Sequence, residues 1–240
     1  MINTTDIHVM VDLETLSNDT RNGVVLALGA VAFQIQTPIL EPLPGEYEFS
    51  TSGNRFFLPI EIAGQRKYGL TTEPETVNWW FGSDDRCRII ATYLASIYAR
   101  PINDVFEMFE NWVMAEAALV EPTQEKKIYM WSHGVTYDCV HLAEKWPKIM
   151  GASFNTVCPF RQMRDTRTLY AVYEMKYGWK PYPQWAKKDH PMKHHPLYDA
   201  YVQAVAVQIA INGLLAPTSN GALVYGYMLM CRMNVTGLGW

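Results

Sequence analysis

The sequence predicts an α/β fold in which a mixed sheet carries helices packed against it. Three observations lead there. Three strand-like runs follow one another near the N-terminus. A stretch with helical spacing comes next. A further strand-then-helix pair then precedes a long apolar helix. The order β-β-β, helices, β-α, helices suits a sheet with both antiparallel and parallel neighbours.

Each element has its own warrant. Residues 7–11 are apolar and end in Asp12-Leu13-Glu14, the first strand. Residues 24–35 are rich in Val, Leu, Ala and Phe, and Asn22 and Gly23 before them supply turn chemistry. A third extended run, about 47–58, follows Pro42, Pro44 and Gly45. Short links between the three predict an antiparallel meander. Residues 72–81 open with Glu73, Pro74 and Glu75, which suit a first helical turn. Helical spacing continues over 84–98 and 101–119, where Ile102, Val105, Phe106, Phe109, Trp112 and Val113 make one apolar face. Residues 127–131 read as a buried strand and 136–146 as the helix after it. Residues 165–177 are helical, 179–191 a loop with three prolines, and 197–214 a long apolar helix. No repeat or domain boundary is visible. The chain is therefore expected to be a single domain over 1–240, with its motifs in a core of about 7–212 and a C-terminal extension at 213–240.

Composition narrows the function classes. The 240 residues are 49% hydrophobic and 18% charged, which is globular rather than disordered. A net charge of −4 is not the basic footprint of a protein held on nucleic acid by phosphate contacts alone. Cys87, Cys139, Cys158 and Cys231 form no C-x-x-C pair, which argues against a zinc ribbon. The N-terminus lacks a signal-peptide pattern, and no apolar run approaches the roughly 20 residues of a membrane span. The expected location is the cytoplasm.

The chemistry-bearing residues are acidic. Asp12 and Glu14 are two apart on a strand, so both point to one sheet face. Like charges in such a place repel and raise each other's pKa, and a divalent cation bound by oxygen ligands relieves this. Asp138 follows the strand–loop segment Ser132-His133-Gly134-Val135-Thr136-Tyr137, close to a strand's C-terminal end. Asp199 stands in an otherwise apolar helix. His194 lies five residues earlier, and Pro196 ends the extended loop that carries it. From that loop His194 can reach the same site and act as a general base. His195 reads as structural or as a weak helix cap.

Asp12, Glu14, Asp138, His194 and Asp199, in this order, resemble the DEDDh branch of the DnaQ-like (ribonuclease H-like) exonucleases. The segments 11–16 and 194–200 look like that family's first and third motifs. The segments 76–80 and 164–169 are similar to phage T4 DexA-like 3′→5′ exonucleases and related bacterial exoribonucleases. The middle motif departs from the subgroup with Trp131-Ser132-His133-Gly134, and Pro196 replaces a small residue in the third. The resemblance implies a mixed five-stranded sheet with helices on both faces. It implies two ions, Mg²⁺ or Mn²⁺, held by Asp12, Glu14, Asp138 and Asp199, with His194 as base. It also implies contacts from Leu13, Thr15 and Leu16 to the terminal nucleotide, a single-stranded 3′ end as substrate, and nucleoside 5′-monophosphates as products. Trp79 and Trp80 are candidates for stacking on bases, though neighbours on a helix point about 100° apart. Lys187, Lys188 and Lys193 are candidate phosphate contacts, with a solvated loop face the equal alternative.

Other classes fare less well. A non-catalytic nucleic-acid-binding or interaction protein on the same fold is the main rival, and loss of one acid or of the histidine would favour it. A serine hydrolase, suggested by Ser132-His133, lacks the G-x-S-x-G elbow. A dinucleotide-binding enzyme would need G-x-G-x-x-G. A zinc site at His190, His194 and His195 lacks H-E-x-x-H. DNA and RNA both stay open as substrates. The apolar stretch 222–230 offers a surface for a homodimer.

Overall fold

The computed structural model describes residues 6–39, 51, 53–82, 85–119 and 128–216. Five strands, β1 (Ile7–Thr15), β2 (Val25–Phe33), β3 (Arg55–Pro59), β4 (Ile128–Ser132) and β5 (Met163–Asp165), form one sheet in the order β3-β2-β1-β4-β5. The pairs β1–β2 and β2–β3 are antiparallel; β1–β4 and β4–β5 are parallel. The meander and the mixed sheet are therefore both present.

Among the described residues six α-helices accompany the sheet: α1 (Pro74–Gly82), α2 (Asp85–Leu94), α3 (Ile102–Ala118), α4 (Asp138–Met150), α5 (Thr166–Tyr177) and α6 (Pro196–Leu215). On one face, Phe56 of β3 meets Phe109 and Trp112 of α3, and Phe106 of α3 stacks on Trp146 of α4. On the other face α6 crosses β1 and β2, and α5 packs on α6, where the Tyr170 hydroxyl donates to the Gln203 carbonyl. Burial from both sides explains why β2 is apolar throughout rather than alternating. It likewise explains why α6 is buried on nearly all its circumference.

Local chemistry sets the helix ends. Asp165 caps α5 by accepting from the Arg167 N–H, and Gly178 ends that helix at φ 76°. Pro196 opens α6 after an extended His195 (φ −89°, ψ 121°), the conformation a following proline favours.

The first strand carries the acidic pair, as the sequence reading has it, and runs on to Thr15 with Asp12 and Glu14 in register with Gly29 and Ala27 of β2. One element departs from the sequence reading. The fifth strand has only three residues, Met-Arg-Asp, and no apolar run to betray it. Part of the third extended run, the start of the strand placed at 127 and the stretch 222–230 with its dimer surface lie outside the described residues.

One contact sets the height of α6 above the sheet. A Cβ on Gly29 would sit 2.3 Å from the carbonyl carbon of Pro196 and 2.4 Å from the Leu197 nitrogen. Both obstacles are backbone, so neither can swing aside. Gly29→Ala is expected to cost about 3 kcal/mol or more, at the upper end of overpacking effects. Urea unfolding checks this; a loss below about 1 kcal/mol would show that α6 rides more loosely.

Candidate active site

The sheet's period of two turns Asp12 and Glu14 toward α6. Asp12 is paired across the sheet with Gly29, whose missing side chain admits the first turns of α6. This brings Asp199 and, one turn later, Gln203 over the end of β1. Gln203 Nε2 donates to Asp12 Oδ1 at 3.0 Å. Asp138 arrives from the opposite side. The pairing of β1 with β4 ends at Met10 and Trp131. The N–H of Leu13, beyond that point, donates to Asp138 Oδ1 at 3.1 Å. A main-chain donor that would lack a partner thus positions a carboxylate.

Glu14, His194 and Asp199 each offer a ligand atom, and these atoms lie within 4.8 Å of one another. The His194 N–H donates to Asp199 Oδ2 at 3.1 Å. His194 is the one non-glycine residue with positive φ among the described residues, at 71°. That conformation costs about 1–2 kcal/mol, and its hydrogen bond to Asp199 helps to hold it. Its ring stands edge-on to Trp79 at 5.1 Å and to Trp80 at 6.4 Å.

The four carboxylates are forced together against their electrostatics. Burial and the charges of Asp138 and Asp199 hold Asp12 well above the usual carboxylate range, against the Gln203 hydrogen bond. Burial, then Asp12, Asp199 and Asp138, do the same to Glu14. Burial lifts Asp138 to about 7 despite the Leu13 N–H and Arg167, and lifts Asp199 to about 6 despite the His194 N–H and Lys193. Strong perturbation from burial and like charge in one place marks a functional site.

A groove of about 380 Å³ opens beside this cluster, lined by Leu13, Glu14, Thr15, Asn18, Thr76, Trp79, Trp80 and Tyr137 among others. The two tryptophans divide as helical geometry demands. Trp80 is buried and donates from Nε1 to the Thr15 carbonyl at 2.9 Å, whereas Trp79 is 42% exposed. The Thr15 hydroxyl lies 2.7 Å from the Tyr137 hydroxyl.

Of the three predicted nucleotide contacts, Leu13 and Thr15 line the groove and Leu16 does not. Leu16 is buried, with its N–H given to the Val24 carbonyl and its carbonyl taken by the Glu73 N–H. His195 is buried against Phe57 and Tyr93 and makes no side-chain cap bond, so it is a core residue and not a cap. Lys187 and Lys188 are exposed, while half-buried Lys193 is close enough to Asp199 to lower its pKa.

The rival sites do not assemble. Ser132 is buried 3.3 Å from Cys139 Sγ, and His133 Nδ1 lies 2.8 Å from the Thr166 hydroxyl, so the two form no nucleophile–base pair. His190 stacks on Tyr198, away from His195 against Phe57. Gln203 and Tyr137 are site residues that the sequence reading missed. Gln203 had one signal, its place four residues after Asp199 on the same helical face.

No curated protein sequence matches this chain. Among solved structures, E. coli exonuclease I in complex with a 5cy-dT13 oligonucleotide aligns with TM-score 0.50 and 13% identity, covering 92% of this chain and 42% of that one. The metal-free form of the E. coli ExoI–ssDNA complex aligns with TM-score 0.48 and 12% identity, covering 92% and 41%. The first of these likenesses shows a shared fold; the chain spans less than half the length of both structures. Residues 7–211 match the family model described as the 3′-5′ exoribonuclease Rv2179c-like domain.

Proposed function

Because the chain belongs to the 3′-5′ exoribonuclease Rv2179c-like domain family, we propose that it removes nucleotides singly from the 3′ end of single-stranded RNA, DNA or both, releasing nucleoside 5′-monophosphates. The observation that carries this reading is the convergence of Glu14, His194 and Asp199 within 4.8 Å, beside Asp12 and Asp138, at the edge of an aromatic-lined groove.

The donor set fits a pair of hard divalent cations. Asp12, Glu14, Asp138 and Asp199 offer oxygen only, the ligand that Mg²⁺ and Mn²⁺ prefer. Their mutual repulsion is what a bound cation removes. Two such ions, when bound, would make a bound water nucleophilic at neutral pH and stabilise the leaving 3′ oxygen.

The chain's own residues do the rest. His194 accepts the proton of the attacking water from its loop beside Asp199. Gln203 keeps Asp12 aimed. Leu13 and Thr15 form the floor against which the terminal nucleotide lies, and Trp79 offers its exposed face to the base. Trp80, tied to the Thr15 carbonyl, holds that floor in place. The groove's volume suits one small ligand rather than a duplex.

Product analysis tests the reaction. In ¹⁸O-enriched water, single-stranded RNA and DNA should yield nucleoside 5′-monophosphates carrying one ¹⁸O on phosphorus. Nucleoside 3′-phosphates, or no mononucleotide from either polymer, would refute the proposed chemistry.

Linkage gives a second expectation. Carboxylates whose folded pKa is raised contribute stability that is full below about 4 and lost as pH climbs through the folded values near 6 and 7. The metal-free fold is therefore penalised most at neutral pH. The rise in Tm on adding Mn²⁺ should grow between pH 5 and pH 7.5. A rise independent of pH across that window would mean that the ion does not bind these carboxylates.

A further inference from the structure

A net acidic chain with four clustered carboxylates must still hold a polyanion behind its 3′ end. The groove described above lies along β1 and α1. On the other side, where β4 and the edge strand β5 end, sits a group of side chains that the reaction does not use. Arg167, in the first turn of α5, lays its guanidinium over Gly134, in the turn that joins β4 to Asp138. A Cβ on Gly134 would lie 3.2 Å from the Arg167 guanidinium carbon, and Gly134 has φ 105°. Its backbone angle favours glycine there, and the absent side chain lets the guanidinium lie close against the turn.

The guanidinium is not used up internally. Neither Arg167 nor Lys180 makes a side-chain hydrogen bond or ion pair among the described residues. Both are exposed. Lys180 and exposed Tyr182 alternate with Pro181 and Pro183, which are buried and pin the segment to the body of the protein. Tyr182 rests edge-on against Tyr170 at 5.5 Å, and Tyr170 lies 5.9 Å from His133. Chain connectivity places the arginine beside the carboxylates, because Gly134, under the guanidinium, is four residues before Asp138 and its carbonyl accepts from the Tyr137 N–H. Burial is the largest influence on the pKa of all three groups, raising Asp138 and Tyr182 and lowering His133; beside it, Arg167 acts to lower Asp138, Arg167 and Lys180 to lower His133, and Asp199 to raise Tyr182.

We propose that Arg167 and Lys180, with the exposed Tyr182 ring packed on Tyr170 nearby, form a phosphate subsite for the nucleotide on the 5′ side of the scissile bond. The proposal rests on the exonuclease reading for its polarity. Arginine's planar fork suits bidentate contact with a phosphodiester, and its position over Gly134 keeps it beside Asp138 without a direct ion pair. The terminal nucleoside then occupies the Trp79 side and the upstream strand leaves over β5.

Substrate length separates this subsite from the reaction centre. A dinucleotide without a 5′-phosphate offers only the scissile phosphate; a trinucleotide adds the one this subsite takes. Arg167→Ala should lower the trinucleotide-to-dinucleotide ratio of kcat/KM about tenfold, the size of one charge-assisted hydrogen bond. Lys180→Ala should act in the same direction, and Arg167→Lys should restore part of the ratio. In EDTA, anisotropy titrations of a 5′-fluorescein-labelled U10 oligonucleotide read binding without turnover. There Arg167→Ala should flatten the dependence of log Kd on log salt by about 0.7, one phosphate contact on a single strand. Equal losses on both substrates, or an unchanged salt slope, would overturn the subsite. If wild-type protein cleaves neither substrate, the exonuclease reading fails instead, and the anisotropy series still decides whether Arg167 binds phosphate.

Discussion

Asp12→Asn is expected to abolish most hydrolysis while making the metal-free protein more stable. The two effects share one cause. Asp12 is held beside Asp138 and Asp199 in a buried setting that penalises its charge. A cation held there would supply several kcal/mol of transition-state stabilisation, so loss of a ligand should lower kcat/KM by about 10³-fold or more. Asparagine keeps an oxygen for the Gln203 amide but removes the ionisable group. Relief of repulsion should add about 1–2 kcal/mol at pH 7.5 in EDTA, or roughly 2–8 °C in Tm. Differential scanning fluorimetry and a rate assay on the same preparation check both. A variant that loses activity and stability together would point to a structural role for Asp12.

His194→Ala is the second large effect. Loss of a general base costs about 10²–10⁴ in rate, and the metal affinity should stay close to wild type. The histidine's position makes this a sharp test, because its ring lies within ligand distance of the same point as Glu14 and Asp199. Isothermal titration with Mn²⁺ distinguishes the roles. An unchanged Kd with a large rate loss identifies a base. A Kd weakened by a factor comparable to the rate loss identifies a ligand. His194→Gly should match the alanine variant in rate yet unfold at higher temperature, since glycine adopts φ 71° without strain.

The parts of the site that were legible in the sequence obey short-range rules. Asp12 and Glu14 share a face because a strand has period two. His194 stands off α6 because Pro196 forces the preceding residue to be extended. Helix spacing separated Trp79 from Trp80. The parts that were not legible depend on contacts between distant segments. Nothing local says that Gly29 admits α6, that Gln203 reaches Asp12 across 191 positions, or that Tyr137 meets Thr15. Leu16 looked like its neighbours in the motif, but both its main-chain groups are taken inside the protein. β5 escaped because parallel pairing with β4, rather than its own composition, makes it a strand.

The account's central claim is that these carboxylates hold divalent cations to cut a strand from its 3′ end. A gel time course tests it most directly, using 5′-labelled and 3′-labelled single-stranded RNA and DNA with Mg²⁺, Mn²⁺ or EDTA, for wild type and Asp12→Ala. Stepwise shortening of the 5′-labelled strand, early release of the 3′ label as a mononucleotide, and loss of both with chelator or substitution are the predicted result. Shortening that persists in EDTA, internal cuts without a ladder, or no cleavage of either polymer would contradict it.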